Sequence, residues 1–209
     1  MTSNVPNEPP HSRIFETIME WGENQKEIIK WAWESPGGWE GWAQVELHRT
    51  FGYSSSREDH AYNLSAKRTD LGFNTGPFVM GKNWGNVPQE RVLLELKCEG
   101  ANNRTKFKDG VRKDIEKIKG DINKEYWGEG GCTVYSIALS MSDDGHRDLE
   151  KLKMRNYNRH SKCNPPFQLW WEMRYITPDH FSSKNLPPGK AAEYTRMDKE
   201  FPGYPVSYK

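Results

Sequence analysis

The stretch RVLLELKCEG, residues 91–100, is apolar enough to be a buried strand, yet it carries Glu95 and Lys97 two positions apart. Strand side chains alternate between faces, so Leu94, Leu96 and Cys98 point one way while Glu95, Lys97 and Glu99 point the other. The chain must therefore build a sheet with a core on one face and room for charge on the other.

Two further apolar runs, CTVYSIALSM at 132–141 and FQLWWEMRYIT at 167–177, predict additional strands. Between the first two runs, Phe107, Val111, Ile115 and Ile118 fall on one helical stripe over 105–119, with Gly120 as a stop signal. Upstream, Ile14, Ile18, Trp21, Ile28 and Ala32 recur at helical intervals, which predicts one helix or two short ones broken near Gly22. GWEGWAQVELHRTFG follows SPGG and predicts a second helix closed by Gly52. AYNLSAKRTDLGF, 61–73, alternates as a strand, the glycine- and asparagine-rich residues after it form a connection, and SDDGHRDLEKLKMRNYN predicts a short helix opening near Ser142 or Asp143. This order of elements predicts an α/β fold, a mixed β-sheet core flanked by helices.

Residues 1–12 are polar and rich in proline and asparagine, which predicts a flexible leader, and 13–209 is expected to form a single domain with an irregular tail from about 178. No run approaches the roughly 18–20 apolar residues of a membrane span, and the first residues lack the basic and apolar regions of a signal peptide, so an intracellular protein is expected, cytoplasmic or nuclear. The 30 basic residues nearly balance 29 acidic ones, so any site for a polyanion has to be local. Cys98, Cys132 and Cys163 have no paired spacing, which excludes a disulfide framework or a structural zinc site. The nine tryptophans mostly fall on core stripes, so packing accounts for them better than a sugar-binding platform does.

Asp70, at the end of AKRTD, stands at the mouth of the strand before Glu95 and Lys97. Two carboxylates about 4 Å apart repel by about 4 kcal/mol at an effective dielectric of about 20, so such a pair is stable mainly around a cation. Hard oxygen ligands suit magnesium or manganese. Glu46 lies on the stripe Trp39, Trp42, Ala43, Glu46, Leu47, Thr50 that faces the core, where an acid needs a partner; the alternative is an ion pair with Arg49 or Arg68. Asp114 also falls beside an inward stripe, without an evident role.

Across residues 39–140 these features resemble the PD-(D/E)xK nuclease superfamily, the restriction-endonuclease-like fold. WEGWAQVELHRTFG, KRTDLGF, LLELKCEG, KFKDGVRKDIEKIKG and CTVYSIALS correspond in order to its core helix, its two catalytic strands, the helix after them and the next strand. The resemblance implies Asp70 and Glu95 as ligands of Mg2+ or Mn2+, helped by the Leu96 carbonyl and by Glu46, with Lys97 orienting or activating the attacking water. Thr69 stands where the motif's name has proline. Asp59 also precedes the E-x-K, but Asp70 follows an alternating strand whereas Asp59 reads as part of a polar turn.

The activity this implies is hydrolysis of DNA or RNA phosphodiesters; the alternative is a nuclease-fold protein that binds nucleic acid or a protein partner without cutting. Many nucleases of this fold act as homodimers, an expectation the resemblance extends to this chain. Arg104, Lys106, Lys108, Arg112 and Lys113 form the expected phosphate-contacting surface, with a solvated helix face as the alternative.

Overall fold

A computed structural model describes residues 8–63, 67–75, 90–120, 122–123 and 131–176. The expected connection over 76–89, the tail from about 178 and the first seven residues of the expected leader lie outside them.

The helical stripes near the N-terminus form two helices, α1 (Ser12–Asn24) and α2 (Lys26–Glu34), separated at Gln25. Within the segment expected to be a flexible leader, His11 is buried: its ring contacts Glu90 at 3.1 Å and the Tyr135 hydroxyl at 2.8 Å. The next helix, α3 (Glu40–Phe51), ends where Gly52 takes a positive φ of 64°, a conformation glycine adopts without a Cβ penalty. A 3₁₀ turn (Gly52–Ser54) leads into β1 (Ser55–Asp59).

SSRED does not read as a strand because it has no apolar face, and Asp59 therefore ends an edge strand where the sequence predicts a turn. Charged edge strands of this kind resist pairing with another chain. Of the strand expected over 61–73, the described residues form β2 (Thr69–Phe73) and an isolated bridge from Tyr62 to Ile122.

β3 (Arg91–Cys98), α4 (Arg104–Ile118) and β4 (Cys132–Ser140) follow as strand, helix and strand, and β3 and β4 are parallel neighbours. All nine residues of β4 are buried, as a central strand covered on both faces requires. α5 (Asp143–Lys151) begins at Ser142, whose hydroxyl accepts the Gly145 N–H at 3.0 Å while Asp143 and Asp144 favour the positive end of the helix. The two-residue β5 (Arg155–Asn156) and β6 (Gln168–Ile176) complete the described elements.

The described residues thus form an α/β fold with five α-helices around a mixed six-stranded sheet of order β1-β2-β3-β4-β6-β5. Among the described strands, β3 and β4 pair in parallel and the other neighbours are antiparallel. Leu71 and Phe73, the even residues of β3 and the odd residues of β4 pack against α1 and α3 around Phe15, Trp39 and Trp171. The opposite face carries two smaller clusters against α4 and α5, one around Leu93, Val134 and Ile118, the other around Val111, Ala138 and Trp170. Burying these apolar faces, at about 25 cal/mol per Å2, is the main favourable term. Glu95 and Lys97 fall on the α4 face, between Leu93 and the end of the sheet. Among the described residues no helix is long and apolar enough to cross a membrane.

Candidate functional site

The site begins where a strand pair comes apart. β2 and β3 are antiparallel partners at Phe73–Val92, Gly72–Leu93 and Leu71–Leu94, and no pairing extends past Leu94. β3 continues to Cys98, so backbone groups along its next four residues face an edge that β2 has left. Buried N–H and C=O groups have to find partners, and here side chains supply them.

Thr69 Oγ1 donates to the Leu94 carbonyl at 3.0 Å. Asp70 Oδ2 accepts the Leu96 N–H at 2.7 Å, and Glu40, in the first turn of α3, accepts the Cys98 N–H. Lys97 Nζ donates to the Leu96 carbonyl at 3.3 Å. Two carboxylates from different elements thus stand in for the missing strand, beside a main-chain carbonyl that no strand partner takes.

Lys97 is clamped from both sides. Its Nζ lies 2.7 Å from Glu40 Oε1 and 3.5 Å from Asp114 Oδ2, on α4. The stem of Lys97 passes against Gly110, one helical turn before Asp114; a Cβ there would sit 3.1 Å from Lys97 Cδ. Glu95, 1% exposed, has both oxygens engaged: Oε1 accepts from the Tyr62 hydroxyl at 2.6 Å and Oε2 from Lys117 Nζ, which also donates to the Arg68 carbonyl. Gly110, Asp114 and Lys117 form the stripe of α4 that faces the site.

Four carboxylates, Glu40, Asp70, Glu95 and Asp114, therefore share a half-buried volume with two lysines, Lys97 and Lys117, with Arg57 adding a weaker attraction for Asp70. With every group ionised, the four acids outnumber the two lysines by two, and Arg57 reduces that excess to one. Burial raises the pKa of all four acids: it outweighs the Lys97 contacts at Glu40 and the Leu96 N–H at Asp70, and it pushes Asp114 up to about 6. Burial and then the Asp70 charge push Glu95 up to about 8. Burial pulls the other way on Lys97, but Asp114 and Glu40 outweigh it and hold its ammonium above the ordinary lysine value. Asp114 Oδ2 is buried without a hydrogen-bond partner, although Lys97 is near. An acidic excess with an orphaned carboxylate oxygen is the electrostatic condition a cation relieves.

Among the described residues, no group of three or more His, Cys, Asp or Glu side chains is arranged to hold a metal ion. Magnesium asks for less, since it commonly takes one or two carboxylates and completes its shell with water and substrate oxygens. Asp70, Glu95 and the Leu96 carbonyl fit that donor set.

The candidates from the sequence are placed unequally. Asp70, Glu95, Leu96 and Lys97 come together at the parted strands. Glu46, on the same helix as Glu40, pairs instead with Arg49, at 2.9 Å. Asp59 accepts from Ser56 Oγ on its own strand. Of the basic residues expected to meet phosphate, Arg104 pairs with Asp144 and Asp148, Lys108 with Asp148 and Arg112 with Asp109, which leaves Lys106 and Lys113 exposed without an ion pair among the described residues.

Glu40, Asp114, Lys117 and Tyr62 were not legible as site residues. Asp114 carried a partial signal, an acid beside an inward stripe, whereas Glu40 is masked by the glycines that make the start of α3 ambiguous. Comparison of the chain with protein-family models, with curated proteins and with solved structures returned no match.

Proposed function

We propose that the chain is a metal-dependent nuclease of the restriction-endonuclease-like fold, hydrolysing phosphodiester bonds of DNA or RNA. The observation that carries this reading is the placement of Asp70, Glu95, Lys97 and the Leu96 carbonyl at the end of one opened strand pair, with an acidic excess around them. Phosphodiester hydrolysis needs charge neutralisation at phosphorus and a deprotonated water, and this donor set suits both.

Asp70 and Glu95, with the Leu96 carbonyl, would hold Mg2+ or Mn2+. Such an ion, when bound, polarises a phosphoryl oxygen and lowers the pKa of its bound water. Asp70 is aimed by the Leu96 N–H, and Glu95 by the Tyr62 hydroxyl, so neither carboxylate has to search for its rotamer. Glu40 and Asp114 fix the Lys97 ammonium and keep it charged; its role is to neutralise the phosphoryl oxygens as negative charge builds there. Lys106 and Lys113, on the exposed side of α4, supply backbone phosphate contacts.

A second reading also has support. Arg104, Lys108 and Arg112 are neutralised within the protein, and Lys97 lies between two acids, as suits a nuclease-fold protein that binds nucleic acid or a protein partner without cutting. Incubation of the purified protein with single- and double-stranded DNA and RNA in Mg2+ or Mn2+ separates the two readings. Cleavage that falls by about 1000-fold in Asp70→Ala and Lys97→Ala is expected; no cleavage of any substrate, or undiminished cleavage by both variants, overturns the nuclease reading.

A further inference from the structure

Glu95 holds its two partners by very different means. Tyr62 is 4% exposed, packs with Ala61, Leu93 and Ile118 and is bridged through its backbone to Ile122. Lys117 reaches Glu95 from the last turn of α4 on a flexible four-carbon stem, with its side chain 18% exposed. Its ammonium lies 4.8 Å from the centre of the Tyr62 ring and also donates to the Arg68 carbonyl. A carbonyl oxygen, a carboxylate oxygen and an aromatic face together make a cation-binding environment, and a lysine of the chain itself occupies it.

Any ion that takes Glu95 as a ligand must contend with this ammonium, because Tyr62 holds the other oxygen from inside the core. Lys97 does not play the same part, being held between Glu40 and Asp114. The geometry points to Lys117 as a resident counter-ion that a divalent cation displaces from Glu95, so that this lysine sets the metal affinity of the site. The inference rests on the reading of Asp70 and Glu95 as metal ligands. Without the ion, Lys117 neutralises a carboxylate that burial would otherwise leave costly; with the ion, the Arg68 carbonyl and the face of Tyr62 remain to receive the displaced ammonium. Lys117 is thus a positioning residue that regulates the site and contributes no group to the reaction.

The test is Mn2+ binding, measured by calorimetric titration and by the electron paramagnetic resonance of free Mn2+, on the wild-type protein, Lys117→Met and Lys117→Arg. Lys117→Met keeps the stem and removes the charge, and it is expected to bind Mn2+ at least about tenfold more tightly than wild type. Lys117→Arg, whose planar fork grips a carboxylate through two hydrogen bonds, is expected to bind it more weakly. Equal affinity in all three proteins overturns the inference and leaves the metal reading standing, whereas no Mn2+ binding by wild type or either variant overturns both. If Lys117→Met does not fold, the comparison of Lys117→Arg with wild type decides: unchanged affinity overturns the inference and a weaker one supports it.

Discussion

Glu95, in β3, and Glu99, just past its end, lie four residues apart, both almost fully buried, and the protein treats them in opposite ways. Glu99 receives four hydrogen bonds: Oε2 accepts from Ser140 Oγ at 2.8 Å, Met141 N at 2.7 Å and Ser142 N at 2.9 Å, and Oε1 accepts from Ser142 Oγ. Ser142 in turn caps α5, and Trp39 Nε1 donates to the Glu99 main-chain carbonyl at 2.6 Å, so this residue, through side chain and backbone together, ties the ends of β3 and β4 to the starts of α3 and α5. The fit is close enough to require glycine at 145, where a Cβ would lie 2.5 Å from Glu99 Oε2. Glu95 has two partners, the Asp70 charge acting on it and a pKa pushed up to about 8 by burial and then by that charge. A buried charge whose hydrogen bonds are all made locks a structure, while one left in an acidic excess is poised to take up a proton or a metal ion.

The same isosteric change at both positions separates these roles most sharply. Glu99→Gln places an amide NH2 among donors that need an acceptor, and it is expected to lose about 3 kcal/mol of stability in urea denaturation. Glu95→Gln at pH 8 without metal is expected to stay within about 1 kcal/mol of wild type, since it mimics the protonated acid that burial already favours, while abolishing metal binding. Equal destabilisation by the two changes would break the contrast.

Acidity provides the next measurement. Glu95 has a folded-state pKa of about 8 and Asp114 one of about 6, both above the values of an unfolded chain. Between those limits the folded state binds more protons than the unfolded one, so without metal the stability these groups contribute is present at low pH and falls as pH rises from about 5 to about 8. Thermal melts across that range are expected to show the decline. Saturating Mn2+ should flatten it, Glu95→Gln should remove the part of it between about pH 6 and 8 that Asp114 does not supply, and Glu99→Gln should leave its slope unchanged.

Gly110 gives the smallest effect. Alanine improves helix propensity by up to about 1 kcal/mol, but its Cβ would press on the Lys97 stem at 3.1 Å. Gly110→Ala is expected to melt at or slightly above the wild-type temperature and to cut nucleic acid about tenfold more slowly, a split between stability and activity that misplacement of Lys97 explains. A parallel loss of both would show that Gly110 serves only packing.

The alternation in RVLLELKCEG was sufficient to place Glu95 and Lys97 on one face, and the stripe Phe107, Val111, Ile118 sufficient to place α4, because both patterns are local and repeat with the period of their element. β1 stayed hidden because SSRED is an edge strand with no apolar face to bury. The role of Glu99 also stayed hidden, since all four of its donors come from residues 140–142, where β4 ends and α5 is capped.

Local periodicity in the sequence by itself determined most strands and helices of the core and the charged face of β3. Only the tertiary structure decided that Glu40 and not Glu46 is the acid of α3 that reaches Lys97, that Asp114 and Lys117 complete the cluster from α4, and that β2 lets go of β3 at Leu94. The reason is physical: a periodic pattern states which face of an element is buried, but a carboxylate's partners depend on where the ends of distant elements meet, and that is set by packing between residues tens of positions apart.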